Sequence, residues 1–393
     1  MTRAARELPR MIEPGAFLGL LGGGQLGRMF TMAAQSMGYR VMVLDPGADS
    51  PAGSVADAHV QADYLDAQGL RTLASHCAAV TTEFENVPAE SLRFLSEHCR
   101  VSPAADSVAV AQDRIREKQF LASAGLEVAP YKVIESAGDL AEGVAHLLPG
   151  ILKRSRLGYD GKGQIRAEHA DQLGGAFAHL GGEPCVLERR LALALEISCV
   201  VARGLDGRTI AWPVAENEHA SGILDVSIVP ARVPPGLAAA ARDAALAVAE
   251  RLDYRGVLCV EFFVLDDGTL VANELAPRPH NSGHHSLDSC DRSQFELQLR
   301  CLAGLPLLPP RQHSAAVMLN LLGDLWFTDG QAQPRTPAWA AVLALPGAHL
   351  HLYGKLEPRP GRKMGHLTLT AADDAAALRS ARDAAARLGL PAF

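Results

Sequence analysis

The stretch "FLGLLGGGQLGRMFTMAAQSMGYRVMVLDP", residues 17–46, places a glycine-rich loop between two short apolar runs. The runs at 16–21 and 40–44 are typical of buried strands, and the segment between them has a helical pattern. This order predicts a βαβ unit with a parallel sheet. The loop from Gly22 to Gly27 reads G-x-G-x-x-G, and Asp45 lies where a dinucleotide-binding fold would hold a ribose. An NAD-dependent dehydrogenase is therefore one hypothesis.

Composition limits the number of domains and the kinds of partner that the chain can bind. With 393 residues, two or three α/β domains are expected rather than a single core. The net charge of -7 argues against nucleic-acid or membrane-surface binding, and no apolar run approaches the roughly 18 residues of a membrane span. The seven cysteines are scattered and form no C-x-x-C pair, so we expect reduced thiols and a cytoplasmic protein.

From about residue 112 the pattern changes to one that favours antiparallel sheets. A helical stretch ends near Gly125, and strand-like runs at short spacing follow it. An alanine-rich helix then precedes "GVLCVEFFV" and "GTLVANEL", which "DDG" joins as a predicted hairpin. The proline-rich "GLPLLPPRQ" introduces a last segment with predicted strands at about 315–321, 347–353 and 364–370.

The hairpin places Glu261 and Glu274, with Asn273 beside the second, in otherwise apolar strands. A carboxylate buried in a strand is costly unless it is paired or bound to a cation. Two carboxylates that face each other across antiparallel strands, with an amide oxygen beside them, suit magnesium and substrate phosphates. The alternative is that each glutamate pairs with a lysine or arginine of the same sheet.

The stretch "KRSRLGYDGKGQ", residues 153–164, combines cations with glycines. Lys153 and Arg154 lie on a predicted strand, and Lys162 lies in the turn after it. Glycines let backbone amides approach phosphate oxygens, and lysines supply positive charge. The stretch therefore predicts a flap over a nucleotide triphosphate, with a hairpin turn bearing solvated lysines as the alternative.

Two loops carry polar residues that favour anion binding. The first, "ELAPRPHNSGHH" at 274–285, suits a small anion. A zinc site at His280 and His284 is disfavoured, because Pro279 and Gly283 oppose the helix that this spacing requires. The second, "YGKLEPRPGRKMGH", predicts a phosphate-ester site, with a solvated basic turn as the alternative. Its cations are Lys355, Arg359, Arg362 and Lys363.

Taken in this order, these stretches are similar to the ATP-grasp superfamily. More closely, they resemble the 5-(carboxyamino)imidazole ribonucleotide synthetases of bacterial and fungal purine biosynthesis. The resemblance extends from about residue 17 to 370, and "NELAPRPHNSGH" is its most specific part. The matching stretches are "GGGQLGRM", "TTEFENVP", "KRSRLGYDGKGQ", "VEFFV", "NELAPRPHNSGHH", "SQFELQLRCLAGLPL" and "PGRKMGHL".

The resemblance implies a mixed α/β and α+β fold. An N-terminal extension, residues 1–16, would precede a Rossmann-like pre-ATP-grasp domain over 17–111. An ATP-grasp domain would cover 112–307, with a flap subdomain at about 127–188. A small β-rich C-terminal domain would cover 308–393, and the chain would act as a homodimer.

The resemblance also implies a reaction. With ATP and magnesium, bicarbonate would attack the γ-phosphate to give carboxyphosphate. The amine of 5-aminoimidazole ribonucleotide would then take up the carboxyl group, or the carbon dioxide released from it. Phosphoryl transfer between two anions needs neutralised charge and an aligned nucleophile, and basic loops with paired carboxylates agree with that need.

The resemblance implies four groups of site residues. The magnesium ligands match Glu261, Asn273 and Glu274. The ATP contacts match Arg114, Lys153, Gly158, Tyr159, Asp160, Gly161, Lys162, Gly163, Gln164, Glu188, Arg189, Arg190, Leu191, Glu196, His219, Asn273 and Glu274. The catalytic residues, which would hold bicarbonate or carboxyphosphate, match Arg278, His280, Asn281 and Ser282. The ribonucleotide contacts match Gln25, Leu26, Glu83, Tyr159, Asp160, Lys355, Arg362 and Lys363. Within the ATP site, Glu188–Leu191 would be the adenine hinge, where Arg189 and Arg190 replace the glycine expected from the resemblance.

Several alternatives stay open. A formate-dependent glycinamide ribonucleotide transformylase would share the ribonucleotide phosphate site. The loop "HNSGHH" and the stretch "TTEFENVP" are therefore the features that distinguish the carboxylating enzyme from it. A biotin carboxylase normally has a longer C-terminal region. A dehydrogenase leaves the strand carboxylates, the flap and the basic turn unused. A nucleotide-sensing subunit without activity would require lost metal ligands, whereas Glu261 and Glu274 are present.

Overall fold

The N-terminal part of the chain forms a parallel sheet covered by helices. The computed structural model describes residues 11–158, 163–327 and 333–393. The first elements are β1 (Phe17–Leu21), α1 (Gln25–Ser36), β2 (Arg40–Leu44), β3 (Ala58–Val60), α2 (Ala67–His76), β4 (Ala79–Thr82), α3 (Ala89–Ser96), β5 (Arg100–Val101) and α4 (Ala105–Ala111). The strands lie in the order β3-β2-β1-β4-β5, and their pairings are parallel, which confirms the βαβ prediction.

A four-stranded antiparallel sheet follows, in the order β6-β9-β7-β8. The elements of this part are α5 (Arg114–Ser123), β6 (Tyr131–Ile134), β7 (Gly150–Arg154), β8 (Gln164–Ala167), α6 (Asp171–His179) and β9 (Cys185–Arg189). Helix α5 begins at Arg114 because Asp113 Oδ1 accepts a hydrogen bond from the backbone amide of Ile115 at 3.1 Å. The inner face of the sheet packs Leu152 and Leu187 against α6.

The largest sheet is antiparallel and runs in the order β15-β14-β10-β12-β13-β16-β18-β17, with β11 on β10. Its elements, with the remaining helices, are β10 (Leu193–Arg203), β11 (Thr209–Ala211), β12 (Ala215–Ala220), β13 (Ile223–Val229), α7 (Pro235–Arg251), β14 (Gly256–Leu265), β15 (Leu270–Ala276), α8 (Ser286–Ser289), α9 (Gln294–Ala303), β16 (Ala315–Leu322), α10 (Trp339–Leu343), β17 (Ala348–Leu352), β18 (Lys363–Ala371) and α11 (Asp374–Leu388). Because β13 pairs with β16, the sheet continues across the predicted domain boundary at residue 308.

An apolar core joins the N-terminal sheet to the rest of the chain. Leu18 and Leu20 of β1 and Phe30 of α1 share one buried cluster with Phe295 and Leu299 of α9. Their burial removes apolar area from water, which stabilises the contact by about 25 cal/mol for each Å². The loops that follow β1 and β4 are thereby held beside the large sheet. Among the described residues, no helix is both long enough and apolar enough to cross a membrane.

Candidate active site

A cavity of about 920 Å³ is lined by residues of both antiparallel sheets and of the N-terminal loops. The predicted site residues that line it are Gln25, Leu26, Glu83, Arg114, Lys153, Gly158, Gln164, Glu188, Arg189, Arg190, Leu191, Glu196, His219, Glu261, Asn273, Glu274, Arg278, His280, Asn281 and Lys363. The cavity lining does not include Gly163, Ser282, Lys355 or Arg362. The predictions for Tyr159, Asp160, Gly161 and Lys162 lie outside the described residues.

The hairpin of β14 and β15 brings the two predicted carboxylates face to face. Glu261 pairs with Glu274 across the strands, as predicted, but the next pair is Phe262 with Ala272. Asn273 is thus an extra residue on its strand, a β-bulge that disrupts the usual alternation of side chains. As a result Asn273 and Glu274 both line the cavity, beside Glu261.

These side chains and their partners form a candidate cation site. Glu261 Oε1 lies 2.8 Å from His280 Nε2, and Glu274 Oε2 lies 3.4 Å from Arg114 Nη1. Burial opposes ionisation of Glu261, but the hydrogen bond from His280 and its charge lower the pKa of Glu261 to about 2. Asn273 Oδ1 is buried and has no hydrogen-bond partner among the described residues. Two carboxylates and a buried amide oxygen in need of a partner form a donor set that fits magnesium.

A buried ion cluster lies beside the candidate cation site. Lys153 Nζ lies 2.9 Å from Glu188 Oε2, and Lys118 Nζ lies 3.3 Å from the same oxygen. Burial opposes ionisation of Glu188, but the charges of Lys153 and Lys118 lower its pKa to about 2. Lys118 also donates to the backbone carbonyl of Asn273 at 3.1 Å, so it connects β9 to the hairpin. The sequence analysis missed Lys118, and its position one turn after Arg114 on α5 was the available signal.

Glu196 and His219 form a second polar pair at the cavity. Glu196 Oε2 lies 3.2 Å from His219 Nδ1. Burial opposes protonation of His219, but its close approach to Glu196 and the charges of nearby carboxylates raise its pKa. This shift favours the positively charged form of the imidazole at the cavity wall.

The loop after β15 contributes Arg278 and His280 to the cavity. Arg278 Nε donates a short hydrogen bond to Glu85 Oε2, so the arginine is paired with the N-terminal part of the chain. His280 Nδ1 lies 2.8 Å from Ser282 Oγ, which lies 2.7 Å from Ser198 Oγ. Ser282 is fully buried behind His280. This geometry favours an indirect role for Ser282 over the predicted direct contact with bicarbonate.

Asn281 is held by a residue of the C-terminal part of the chain. Asn281 Nδ2 donates to Asn320 Oδ1 at 3.2 Å, and Asn320 Nδ2 donates to Asn281 Oδ1 at 3.1 Å. Asn320 lies on β16 and is almost completely buried. The sequence analysis missed it, because only the fold reveals that β16 lies against this loop.

The glycine loop already holds a carboxyl group of the chain itself, that of Glu83. Glu83 Oε1 accepts a hydrogen bond from the Gly24 amide at 2.6 Å, and Glu83 Oε2 accepts one from the Gly27 amide at 2.8 Å. Asp45 Oδ2 accepts from the Gly23 amide at 2.7 Å. In dinucleotide-binding loops such amides face a pyrophosphate. The loop therefore supports the βαβ prediction and not the NAD hypothesis.

The basic turn is only partly directed at the cavity. Lys363 lines it, whereas Lys355 Nζ donates to the backbone carbonyl of Lys363 at 2.6 Å. Arg362 Nη1 donates to the backbone carbonyl of Glu357 at 2.7 Å. Lys355 and Arg362 thus brace the turn in this structure.

The histidines have arrangements that do not favour zinc. His280 lies against Glu261, whereas His284 Nδ1 lies 3.0 Å from Gln294 Nε2, so the two rings have separate partners. Elsewhere in the described chain, possible ligand atoms of Asp288, His351 and His366 lie within 4.8 Å of one another. The rings of His351 and His366 are stacked, with centroids 4.6 Å apart and planes at 15°. A ring nitrogen binds a metal in the plane of its ring, so two such rings cannot converge on one ion as they lie.

Three family models match successive parts of the chain. The "ribonucleotide synthetase preATP-grasp domain" matches residues 16–112, and the "ATP-grasp domain" matches residues 119–295. The "phosphoribosylaminoimidazole carboxylase C-terminal domain" matches residues 316–380. These matches, together with the sheets described above, confirm the predicted fold class.

Individual proteins agree with the family models. The N5-carboxyaminoimidazole ribonucleotide synthase of Bacillus subtilis (strain 168) is 42% identical over 360 residues, which cover 91% of this chain and 92% of that protein. A crystal structure of N5-carboxyaminoimidazole synthetase from Staphylococcus aureus complexed with ADP is 36% identical, with a TM-score of 0.87, over 96% of this chain and 98% of that chain. A crystal structure of the synthase from Aspergillus clavatus, in complex with ADP and 5-aminoimidazole ribonucleotide, is 29% identical, with a TM-score of 0.87, over 95% of this chain and 98% of that chain. The chain belongs to the N5-carboxyaminoimidazole ribonucleotide synthase family of ATP-grasp ligases.

Proposed function

We propose that the chain catalyses the ATP-dependent carboxylation of 5-aminoimidazole ribonucleotide with bicarbonate, in purine biosynthesis. The products are N5-carboxyaminoimidazole ribonucleotide, ADP and phosphate. The observation that carries this proposal is that one cavity contains the carboxylate pair Glu261 and Glu274, Lys153, Arg278 and the glycine-loop residue Gln25. One end of the cavity thus has side chains suited to a metal ion and a triphosphate. The other end is formed by residues of the N-terminal domain. Membership of the family supports the assignment.

At the triphosphate end, the proposal gives each group a role that its surroundings support. Glu261, Asn273 and Glu274 would hold magnesium, which when bound supplies charge that stabilises the transferring phosphoryl group. Lys153 and Glu188 both line the cavity as an ion pair. When ATP binds, the Lys153 ammonium group would bind a phosphate oxygen in place of part of its contact with Glu188. Arg114, Glu196 and His219 complete this end, and the segment 158–164 would cover it as a flap.

At the carboxyl end, Arg278, His280 and Asn281 would hold and orient bicarbonate. A bicarbonate oxygen attacks the γ-phosphorus, the bond to the bridging oxygen breaks, and ADP leaves with that electron pair. The ribonucleotide amine then bonds to the carbon of carboxyphosphate, the bond from that carbon to the phosphate oxygen breaks, and the amine gives up a proton. Ser282 contributes by orienting His280, whose Nδ1 lies 2.8 Å from the serine oxygen.

The ribonucleotide would lie between the N-terminal domain and the basic turn. Gln25, Leu26, Glu83 and Lys363 line the cavity there. Lys355 and Arg362 would reach the phosphate only after leaving the backbone carbonyls they now bind. Tyr159 and Asp160 of the flap remain proposed contacts to the reacting amine.

The test is the substrate dependence of phosphate release. We expect release to require ATP, bicarbonate and aminoimidazole ribonucleotide together, and mass spectrometry to detect the carboxylated ribonucleotide in equal amount. Release with formate and glycinamide ribonucleotide instead would assign the rival transformylase activity. Reduction of NAD or NADP without phosphate release would overturn the proposal.

Three further parts of the proposal rest on the family resemblance. They are a homodimer, a cytoplasmic location, and domains that cover 17–111, 112–307 and 308–393 after an N-terminal extension. Light scattering of the purified chain would test the first, since a monomer mass at micromolar concentration would contradict it. Limited proteolysis would test the domain bounds, with cleavage expected near residues 112 and 308.

A further inference from the structure

The stretch "TTEFENVP", which begins in the last two residues of β4, carries two carboxyl groups that bind different parts of the molecule. Glu83 accepts hydrogen bonds from two amides of the glycine loop. Glu85 is paired with Arg278 of the loop after β15. The backbone from Glu85 to Val87 is held in place, because Gln112 Nε2 donates to the carbonyls of Glu85 and Val87 at 2.7 and 2.6 Å. This segment therefore connects the ribonucleotide end of the cavity to the residue proposed to hold bicarbonate.

The pair of Glu85 and Arg278 lies within the cavity wall. Both residues line the cavity, and their side chains are 24% and 19% exposed. Burial opposes ionisation of Glu85, but the charge of Arg278 and its hydrogen bond lower the pKa of Glu85 to about 2. Glu85 is therefore ionised at neutral pH, and Arg278 is neutralised by it.

The chemistry of the two anions makes them competitors. A carboxylate and bicarbonate are both planar, and each presents two oxygens to the fork of a guanidinium group. Arg278 uses Nε for Glu85 and Nη1 for the backbone carbonyl of Pro279, at 3.1 Å. While these contacts persist, the Glu85 carboxylate occupies the edge of the guanidinium group that contains Nε.

We propose that Glu85 is a positioning residue that couples bicarbonate activation to the arrival of the ribonucleotide. Without ribonucleotide, its carboxylate holds Arg278 and weakens the anion site. Ribonucleotide that docks against Gln25, Leu26 and the 83–86 segment draws Glu85 away, and the freed Arg278 then binds bicarbonate. This inference rests on the proposed function, since it specifies how that reaction is regulated.

The coupling has a clear chemical benefit. Carboxyphosphate formed before an amine is present reacts with water to give back bicarbonate and phosphate, so each such event hydrolyses one ATP without product. Active sites limit such losses by controlling when reactive intermediates form. An ion pair that only the second substrate opens would provide this control.

The test compares Glu85→Gln with the wild-type chain. Glutamine keeps the size of the side chain but removes the charge that competes for Arg278. We expect bicarbonate-dependent phosphate release without ribonucleotide to rise about tenfold, since a hydrogen bond between charged groups is lost. The KM for bicarbonate should fall, and the product formed per phosphate released should fall below one. Glu90→Gln, an exposed position on α3, serves as the matched control and should leave all three values unchanged.

Two results would overturn the inference. One is phosphate release that stays tightly dependent on ribonucleotide in Glu85→Gln. The other is a uniform loss of turnover with the ratio of product to phosphate unchanged. If Glu85→Gln does not fold, Glu85→Asp retains the charge at a greater distance, and we expect a smaller rise in the same direction. Failure of the proposed function is distinguishable, because the wild-type chain itself would then form no carboxylated ribonucleotide.

Discussion

Glu274 is the more open of the two facing carboxylates. Its side chain is 40% exposed, whereas that of Glu261 is 12% exposed. Glu261 is also engaged by His280 at 2.8 Å, which leaves Glu274 with the freer oxygens for a cation in the cavity. The proposed magnesium site therefore depends strongly on the charge of Glu274.

We expect Glu274→Gln to abolish ATP turnover while the fold stays intact. The amide retains the size of the side chain but not the negative charge that holds a dication, and losses of about 100-fold or more follow when such electrostatic stabilisation is removed. Phosphate release measures the activity, and circular dichroism checks the fold. Asp266→Asn in the exposed turn of the same hairpin is the control and should be fully active. Normal turnover in Glu274→Gln would remove the metal assignment.

The residues of this site were predictable to different degrees. The sequence predicted that Glu261 and Glu274 face each other across a hairpin, but the observed pairing at the turn would by itself place Asn273 opposite Glu261, and the bulge brings Glu274 there. The bulge at Asn273 did not follow, because nothing in "VANELA" requires it. Lys118 was also missed, since a charged residue on a helix is usually solvated, and only the fold reveals that α5 buries it completely.

At the scale of elements, the glycine loop is shaped by close contact with Glu83. A Cβ atom added at Gly24 would lie 2.4 Å from Glu83 Oε1. The backbone angle φ of Gly24 is −78°, which any residue adopts. Glycine is therefore required here for the approach of the carboxylate and not for backbone freedom. The sequence predicted the loop correctly but could not reveal that Glu83, 59 residues later, fills it.

We expect Gly24→Ala to weaken ribonucleotide binding without affecting ATP. The added methyl group displaces Glu83 and shifts the loop that presents Gln25 and Leu26 to the cavity. Loss of a hydrogen bond between the loop and Glu83 predicts an increase of up to about tenfold in the KM for the ribonucleotide. Steady-state kinetics with each substrate varied in turn provides the measurement. Gly236→Ala on α7, where a Cβ atom meets nothing within 4 Å, is the control.

The contact between α5 and β9 is predicted to influence stability in acid. The pKa of Glu188 is lowered from its ordinary value of 4.5 to about 2, despite burial, by Lys153 and Lys118. A carboxylate with a depressed pKa in the folded state stabilises the fold fully above its unfolded pKa. That contribution is lost as the pH falls from about 4.5 to about 2.

We expect Glu188→Gln to lower the free energy of unfolding at pH 7 by about 3–5 kcal/mol, because it leaves Lys118 buried without its charged partner. The difference from the wild-type chain should shrink between pH 4.5 and pH 2, as the wild-type carboxylate becomes protonated. Urea unfolding across this pH range provides the measurement. Asp383→Asn, which removes an exposed pair with Arg387, should change little. A difference that is constant with pH would contradict the assignment.

At the scale of the whole molecule, one sheet joins two parts of the chain that the sequence predicts to be separate domains. Pairing of β13 with β16 brings Asn320 to Asn281, so the last part of the chain supports the proposed bicarbonate loop. The order of strands and helices was predictable from apolar periodicity and turn residues. The meeting of residues that lie far apart in the sequence was not, because it depends on tertiary pairing that no local pattern encodes.

The central claim is that bicarbonate attacks ATP in this cavity and then gives its carboxyl group to the ribonucleotide. The most direct test supplies bicarbonate labelled with ¹⁸O in all three oxygens, together with ATP and aminoimidazole ribonucleotide. The attacking oxygen stays with phosphorus when the carboxyl group is transferred, so mass spectrometry should find one ¹⁸O atom in each phosphate released. Phosphate without label, formed at the same rate as the carboxylated ribonucleotide, would contradict the claim.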